Sequence, residues 1–150
     1  TLGRLDWLLR QYHPVVVLVE TGANDGLRGL DVDSLAANLD SILSRLRRLD
    51  PKPVVIVAGM EALPNMGEGY VNRFRRVFPT AARRFHDRYL PFLLNGVAGN
   101  ASLKQADGIH PNRRGSRIVA DNVWQVLEPV LDSLKEGMAR PPVAARRRAG

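Results

Sequence analysis

Two short stretches of this chain hold residue types that, at the spacing they have, can move a proton and hold a negatively charged oxygen. Asp107-Gly108-Ile109-His110-Pro111 sets a carboxylate three residues before an imidazole. A serine hydroxyl is a weak nucleophile until an imidazole takes its proton. That imidazole in turn needs a carboxylate to fix its tautomer and stabilise its charged form. A D-x-x-H turn supplies both from one loop. Alone, the motif fits a surface turn as well as a catalytic pair; Gly108, Pro111 and a helix behind them favour catalysis. Gly22-Ala23-Asn24-Asp25 offers the complement. An Asn amide aimed at a tetrahedral oxyanion is worth roughly 3–4 kcal/mol in acyl transfer. Taken alone this stretch reads first as a turn, and Asp25 is assigned to loop scaffolding.

The elements that must position these residues follow from apolar periodicity. Residues 2–12 carry Leu2, Leu5, Leu8 and Leu9 at helical spacing, stopped by Pro14. Residues 15–20 (VVVLVE) read as a strand buried on both faces, and 21–30 as a Gly-rich loop. Asp33 or Ser34 caps a helix to about Leu49, with Leu35, Leu39, Ile42, Leu43 and Leu46 on one face. Residues 54–58 form a second buried strand and 59–69 a loop. Residues 70–87 are helical in pattern, broken or kinked at Pro79. A short third strand covers 89–93. Pro111 suits the first residue of a helix that runs to about Glu136, with a kink at Pro129. This alternation predicts an α/β fold with a parallel sheet between helix layers. In such sheets ligands gather at the carboxyl ends of the strands. Asn24, the loop at Leu63-Pro64-Asn65, and His110 follow the three strands in turn.

Length and composition fit one domain: 150 residues, 45% hydrophobic and 25% charged. The absence of cysteine excludes disulfides, thiol catalysis and Cys-ligated zinc, and suits cytosol and periplasm equally. No apolar run approaches the length of a membrane span. No secretory leader is visible, to which a chain beginning on Thr1 gives little weight. The net charge of +7 falls to +3 once residues 138–150, with four arginines and no acid, are set aside. The body is therefore only mildly basic, and the basic runs at Arg73–Arg76 and Arg83-Arg84 read as a solvated helix face beside buried Val77, Phe78 and Phe85. His13 and His86 read as structural histidines, and Trp7 and Trp124 as packing residues. No metal-ligand cluster, P-loop or dinucleotide fingerprint is present.

The run Val19-Glu20-Thr21-Gly22-Ala23-Asn24-Asp25-Gly26-Leu27-Arg28-Gly29 resembles the GxND block of the SGNH (GDSL-type) hydrolases, in their bacterial thioesterase I, arylesterase and lysophospholipase branch. Asp107-Gly108-Ile109-His110-Pro111-Asn112 resembles their His block, and Leu63-Pro64-Asn65 the loop bordering their acyl pocket. The resemblance extends in order and spacing from about Leu2 to Leu134. It implies a flavodoxin-like three-layer α/β/α fold, no cofactor, and hydrolysis of acyl esters, acyl thioesters or lysophospholipids by serine acyl transfer. It makes Asn24 the oxyanion donor, His110 the general base and Asp107 its orienting partner. Gly22, Leu27, Leu63 and Ile109 would border the substrate, a small acyl ester or thioester. A periplasmic or secreted location is favoured by the same likeness.

The departure from the family pattern is as specific. The block that carries the serine, and a second block that gives a glycine N–H to the oxyanion hole, should both precede Leu2, and neither is in the sequence. The expectation is a domain over residues 1–137 that lacks the N-terminal strand or strands bearing the nucleophile, followed by a basic, disordered tail over 138–150. Ser34, Ser41, Ser44, Ser102, Ser116 and Ser133 remain, and none is expected to serve. The chain alone is expected to be inactive or nearly so, and strand 15–20 to have an open edge through which it associates. Two rivals stand beside the hydrolase: an inactive scaffold or partner-binding remnant of the same fold, and a nucleic-acid-binding domain. The second predicts strongly salt-dependent affinity; both are set well below the hydrolase, with no nucleic-acid partner expected.

Overall fold

The computed structural model describes residues 2–139. The strands β1 (Val16–Val19), β2 (Val54–Ala58) and β3 (Arg88–Leu90) form one parallel sheet in the order β1-β2-β3. Val16 pairs with Val54, and Ile56 with Arg88. The helices are α1 (Leu2–Gln11), α2 (Ala23–Arg28), α3 (Val32–Leu46), α4 (Glu68–Phe85) and α5 (Arg113–Ala139), with single 3-10 turns at Pro64–Met66 and Ala101–Leu103.

Side chains alternate across a strand, and β2 divides its residues between two cores accordingly. Val55 and Val57 face a large cluster with Leu35, Leu39, Leu43 and Leu46 of α3 and Phe74 and Phe78 of α4, while Leu5 and Leu9 of α1 pack on its margin. Ile56 and Ala58 face a smaller cluster with Leu90 and, from α5, Val123, Val126, Leu127 and Val130. Helices thus lie on both faces, a three-layer α/β/α sandwich. The apolar stripe on α3 is buried as its spacing predicts, and Phe74 stands edge-on to Phe78 at 5.5 Å between ring centroids.

The structure corrects several expectations. β1 is not buried on both faces: α5 covers β2 and β3, and leaves Leu18 39% exposed at the margin of the sheet. Trp7 and Trp124 are half exposed, at 52% and 50%, and belong to neither core. The segment read as a loop at 21–30 holds α2, set between two left-handed glycines, Gly22 (φ 88°) and Gly29 (φ 65°). The cap of α3 is Asp31, whose carboxylate accepts from Ser34 N at 2.7 Å, rather than Asp33 or Ser34. Neither Pro79 nor Pro129 ends its helix. A mid-helix proline forfeits one backbone bond and crowds the preceding turn. In α4 the burial of Phe74, Val77, Phe78, Ala81 and Ala82 on either side of Pro79 holds the segment helical regardless. The 138–150 tail lies outside the described residues except for the end of α5. Among the described residues no helix is long and apolar enough to cross a membrane.

Candidate active site

All three strands run the same way, so the segments leaving Val19, Ala58 and Leu90 emerge at one rim of the sheet. Contacts between these segments fix their relative positions. Gly22 lies directly over the helix layer: a β-carbon there would come within 3.1 Å of both Leu35 Cδ1 and Phe78 Cζ. Its left-handed backbone turns the chain into α2, and its carbonyl accepts from Gly26 N at 3.0 Å. Gly26 is buried, and a β-carbon on it would sit 2.8 Å from Phe74 Cζ and 3.2 Å from Ala62 Cα. A larger residue would therefore push α2 off the segment that follows β2. The exit of α2 is held by Tyr70, whose hydroxyl donates to Leu30 O at 2.7 Å and to Asp25 O at 3.2 Å. Burial, then the Asp25 and Asp31 charges, push the Tyr70 phenol above its ordinary value. Asp25 contributes a carbonyl that also takes Leu30 N at 3.0 Å. Asn24 is exposed on this short helix, and its side chain has no hydrogen-bond partner among the described residues.

The second segment carries Leu63, 39% exposed, into the 3-10 turn. The third is laced to the second and to α5. Gly59 N donates to Leu90 O at 2.8 Å, Leu93 N to Gly59 O at 3.0 Å, and Asn122 of α5 to Leu93 O and Asn95 O at 3.1 and 2.9 Å.

The block at 104–115 is closed by hydrogen bonds among its own residues and to the turn before it. Gln105 N donates to His110 O at 2.8 Å, and Gln105 Nε2 to Pro111 O at 3.0 Å. Lys104 and Pro111 form an antiparallel bridge. Pro111 is therefore part of this bridge and not the first residue of the helix; the cap is Asn112, whose Oδ1 accepts from Arg114 N and Gly115 N at 3.0 and 3.1 Å. Asn112 Nδ2 reaches back to Ser102 O at 2.9 Å and Lys104 O at 3.1 Å. One side chain thus starts α5 and closes the loop before it. The sequence reading missed this role; the Asn-x-x-Gly pattern at the start of α5 carries only half of it. Gly115 lets the helix approach, since a β-carbon there would meet Leu103 O at 2.3 Å.

Inside the unit, Gly108 adopts φ 69°, which folds the chain so that Ile109 and His110 come back over Asp107. Asp107 Oδ1 accepts from Ile109 N at 2.9 Å and His110 N at 3.0 Å, and Oδ2 lies 2.6 Å from His110 Nδ1. The bond to the imidazole, then the two backbone N–H groups, hold the Asp107 carboxyl down to about 2. At neutral pH it is thus an ionised, acceptor-only group, so the hydrogen of a neutral His110 ring resides on Nδ1 and the lone pair on Nε2. That is the tautomer a general base requires. The ring is 69% exposed. Ile109 beside it is 48% exposed, while Leu27 is half-buried.

The structure brings Asp107 and His110 together, and sets α2 against the segment carrying Leu63. Among the described residues no hydrogen bond joins Asn24 to Asp107 or His110, and no serine hydroxyl is bonded to the His110 ring. Ser41 and Ser133 donate to carbonyls of their own helices, Ala37 O at 2.8 Å and Pro129 O at 2.9 Å, and Ser102 to Asn100 Oδ1 at 2.8 Å.

The chain matches the model of the GDSL-like Lipase/Acylhydrolase family over residues 1–118. It is 38% identical over 130 residues to Esterase TesA of Pseudomonas aeruginosa, a match covering 87% of this chain and 64% of that protein. It is 35% identical over 131 residues to thioesterase 1/protease 1/lysophospholipase L1 of Escherichia coli strain K12, covering 87% and 62%. The chain thus spans less than two thirds of the curated relatives it matches. Among solved structures, it resembles a crystal structure of TesA with a TM-score of 0.79 at 38% identity, over 85% of this chain and 70% of that one. It resembles the psychrotrophic esterase EstA from Pseudoalteromonas sp., inhibited by monoethylphosphonate, with a TM-score of 0.79 at 30% identity over 87% and 70%.

Proposed function

The chain belongs to the GDSL-like lipase/acylhydrolase family, and from that premise we propose that its rim holds the proton-transfer and oxyanion groups of a serine hydrolase acting on acyl esters, acyl thioesters or lysophospholipids. The observation that carries this reading is the Asp107–His110 pair: a 2.6 Å bond to Nδ1, with the other carboxylate oxygen fixed by two backbone N–H groups. In the reaction His110 Nε2 takes the proton of the serine hydroxyl as its oxygen attacks the acyl carbon, and returns it to the leaving alcohol or thiol. Asp107 keeps the ring in the competent tautomer and balances the imidazolium. Asn24 Nδ2 donates to the oxyanion of the tetrahedral intermediate. Gly22, Leu27, Leu63 and Ile109 border the acyl chain. Water then attacks the acyl-serine with His110 again as base.

The nucleophile in this reading is supplied from outside these 150 residues. Of the six serines present, those in α3 and α5 sit on helices and Ser102 is tied to Asn100. The test is hydrolysis of p-nitrophenyl esters of short and medium acyl chains by the chain alone and by a form extended upstream of Thr1. The chain alone should give background rates, and the extended form turnover that His110→Ala abolishes. Turnover by the chain alone that His110→Ala abolishes would overturn the claim about the nucleophile. An extended form that folds yet stays inert would overturn the catalytic reading and leave the scaffold reading in its place.

The open edge of β1 suits association with a partner. Val15 is 57% and Leu18 39% exposed beside backbone groups that no strand pairs among the described residues, and through this edge the chain associates. Sedimentation at rising concentration should show self-association that Leu18→Lys reduces; an unchanged monomer in both would remove the proposal.

A further inference from the structure

The helix that carries Asn24 is too short to hold its own direction. α2 has six residues, about 9 Å of axis, and a helix of that length gains little from its own hydrogen bonds. Left-handed glycines flank it on both sides, at Gly22 and Gly29. Contacts from outside therefore set where it points. Its middle is fixed by apolar packing of Gly26 against Phe74 and Ala62, and a β-carbon on Gly29 would meet Met66 Sδ at 3.2 Å. The end that follows Asn24 is fixed by Tyr70, the third residue of α4. Its ring stacks on Phe74 at 6.1 Å between centroids. Its hydroxyl donates to Leu30 O at 2.7 Å, with Asp25 O at 3.2 Å. Polar satisfaction does not call for this bond. Asp25 O already takes the N–H groups of Gly29 and Leu30, and Leu30 is 46% exposed, within reach of water. A phenylalanine would keep the ring stack. What the hydroxyl adds is a fixed distance between α4 and the residue after Asn24.

We propose that Tyr70 is a positioning residue for the oxyanion donor: its hydroxyl holds the last turn of α2 so that the Asn24 amide meets the developing charge. The inference rests on the oxyanion role proposed for Asn24. The Asn24 side chain has no hydrogen-bond partner of its own among the described residues, so its place follows the helix that carries it. A donor stabilises the tetrahedral intermediate only within hydrogen-bond range of its oxygen, and a displacement of about 1 Å can cost on the order of 100-fold in rate. Burial, then the Asp25 and Asp31 charges, raise the Tyr70 phenol above its ordinary value. The hydroxyl therefore keeps its proton, and remains a donor, through neutral and mildly alkaline pH.

The experiment uses the form extended upstream of Thr1 and measures kcat and KM on p-nitrophenyl esters, with thermal unfolding to show that each variant is folded at the assay temperature. Acylation and deacylation each pass through an oxyanion, so kcat reads the donor whichever step is slow. Asn24→Ala should lower kcat about 100- to 1000-fold. Tyr70→Phe should lower it about tenfold, with KM within about twofold of the parent. Added to Asn24→Ala, Tyr70→Phe should change kcat by less than about twofold, because the group it positions is gone. Full kcat in folded Tyr70→Phe would overturn the inference. So would an equal loss with and without Asn24, which marks a structural effect that does not pass through the amide. Full kcat in Asn24→Ala, or an inert extended form, would instead overturn the oxyanion reading beneath it.

Discussion

Replacing Asn112 by alanine removes one side chain and four hydrogen bonds, and should loosen the histidine loop more than any substitution at the histidine itself. The cap bonds to Arg114 N and Gly115 N are worth about 1 kcal/mol together, the usual loss on Asn→Ala at a helix start. The two bonds from Nδ2 to Ser102 O and Lys104 O close the loop beside the Lys104–Pro111 bridge, and contribute about 1 kcal/mol each. The sum, about 3 kcal/mol, is a large share of the roughly 5–15 kcal/mol typical of a domain. At about 2–4 °C per kcal/mol for a chain of this size, it lowers Tm by roughly 6–12 °C. Urea and thermal unfolding measure it. Asn112→Ser separates the two halves, since serine caps well but cannot reach the two carbonyls; it should cost about two thirds as much. The Nδ1–H resonance of His110, protected by the bond to Asp107, reports the site directly and should broaden in Asn112→Ala. A loss below about 0.5 kcal/mol for alanine would show that the loop is held by other means. Serine and alanine variants of equal stability would show that the cap contributes nothing.

Gly59→Ala places a β-carbon 2.2 Å from Pro91 O, at a residue whose N–H and carbonyl are both bonded to the β3 exit. It should cost about 3 kcal/mol in urea unfolding, and a loss under about 1 kcal/mol would refute the close approach. Two carboxylates give opposite pH dependence. Asp107 is held down to about 2 in the folded chain, so the stability it gives is present above the ordinary carboxylate range and lost as pH falls from about 4 to about 2. Asp107→Asn should flatten the unfolding midpoint in that window. Asp87 behaves inversely: burial pushes it up against the pull of Arg47, and its Oδ2 is buried with no partner. The stability its protonated form supplies is full in acid and lost as pH rises through its raised folded value, so Asp87→Asn should remove a decline on the neutral side of that value. Identical pH profiles for both variants and the parent chain would refute both assignments.

How far the sequence could be read depended on how local each determinant is. β2 was legible to the residue because VVIVA needs nothing beyond its own composition, and the α3 face because its five apolar positions repeat within one helix. Asp107 and His110 were legible for the same reason: the three-residue spacing closes a turn whose bonds all lie between 107 and 110. α2 was read as a loop because Gly-Ala-Asn-Asp-Gly is turn composition. Its helical state rests on contacts of Gly26 with Phe74 and Ala62, and of Tyr70 with Leu30, none of which a local pattern encodes. The cap was placed at Asp33 or Ser34, two or three residues past Asp31, because the periodicity of α3 does not fix where its first turn begins. Trp7 and Trp124 were read as packing residues, but packing needs a covering surface, and the margins of this three-stranded sheet leave both half exposed.

The same distinction governs the site. A carboxylate–imidazole pair can be written into four consecutive residues, because the geometry is set by one glycine in the left-handed region and one carboxylate with two oxygens to spend. The oxyanion role proposed for Asn24 cannot be written that way, since the position of its amide relative to His110 depends on the packing that connects them. Here that connection runs from α2 through Gly26 to Ala62, from Gly59 to Leu93, and from Leu93 through Asn122 into α5. Each joint is a close contact or a hydrogen bond between distant parts of the chain. Gly26, Gly59 and Asn122 have no catalytic part in the proposed reaction, yet that reaction requires them to hold the amide of Asn24 and the ring of His110 within reach of one substrate.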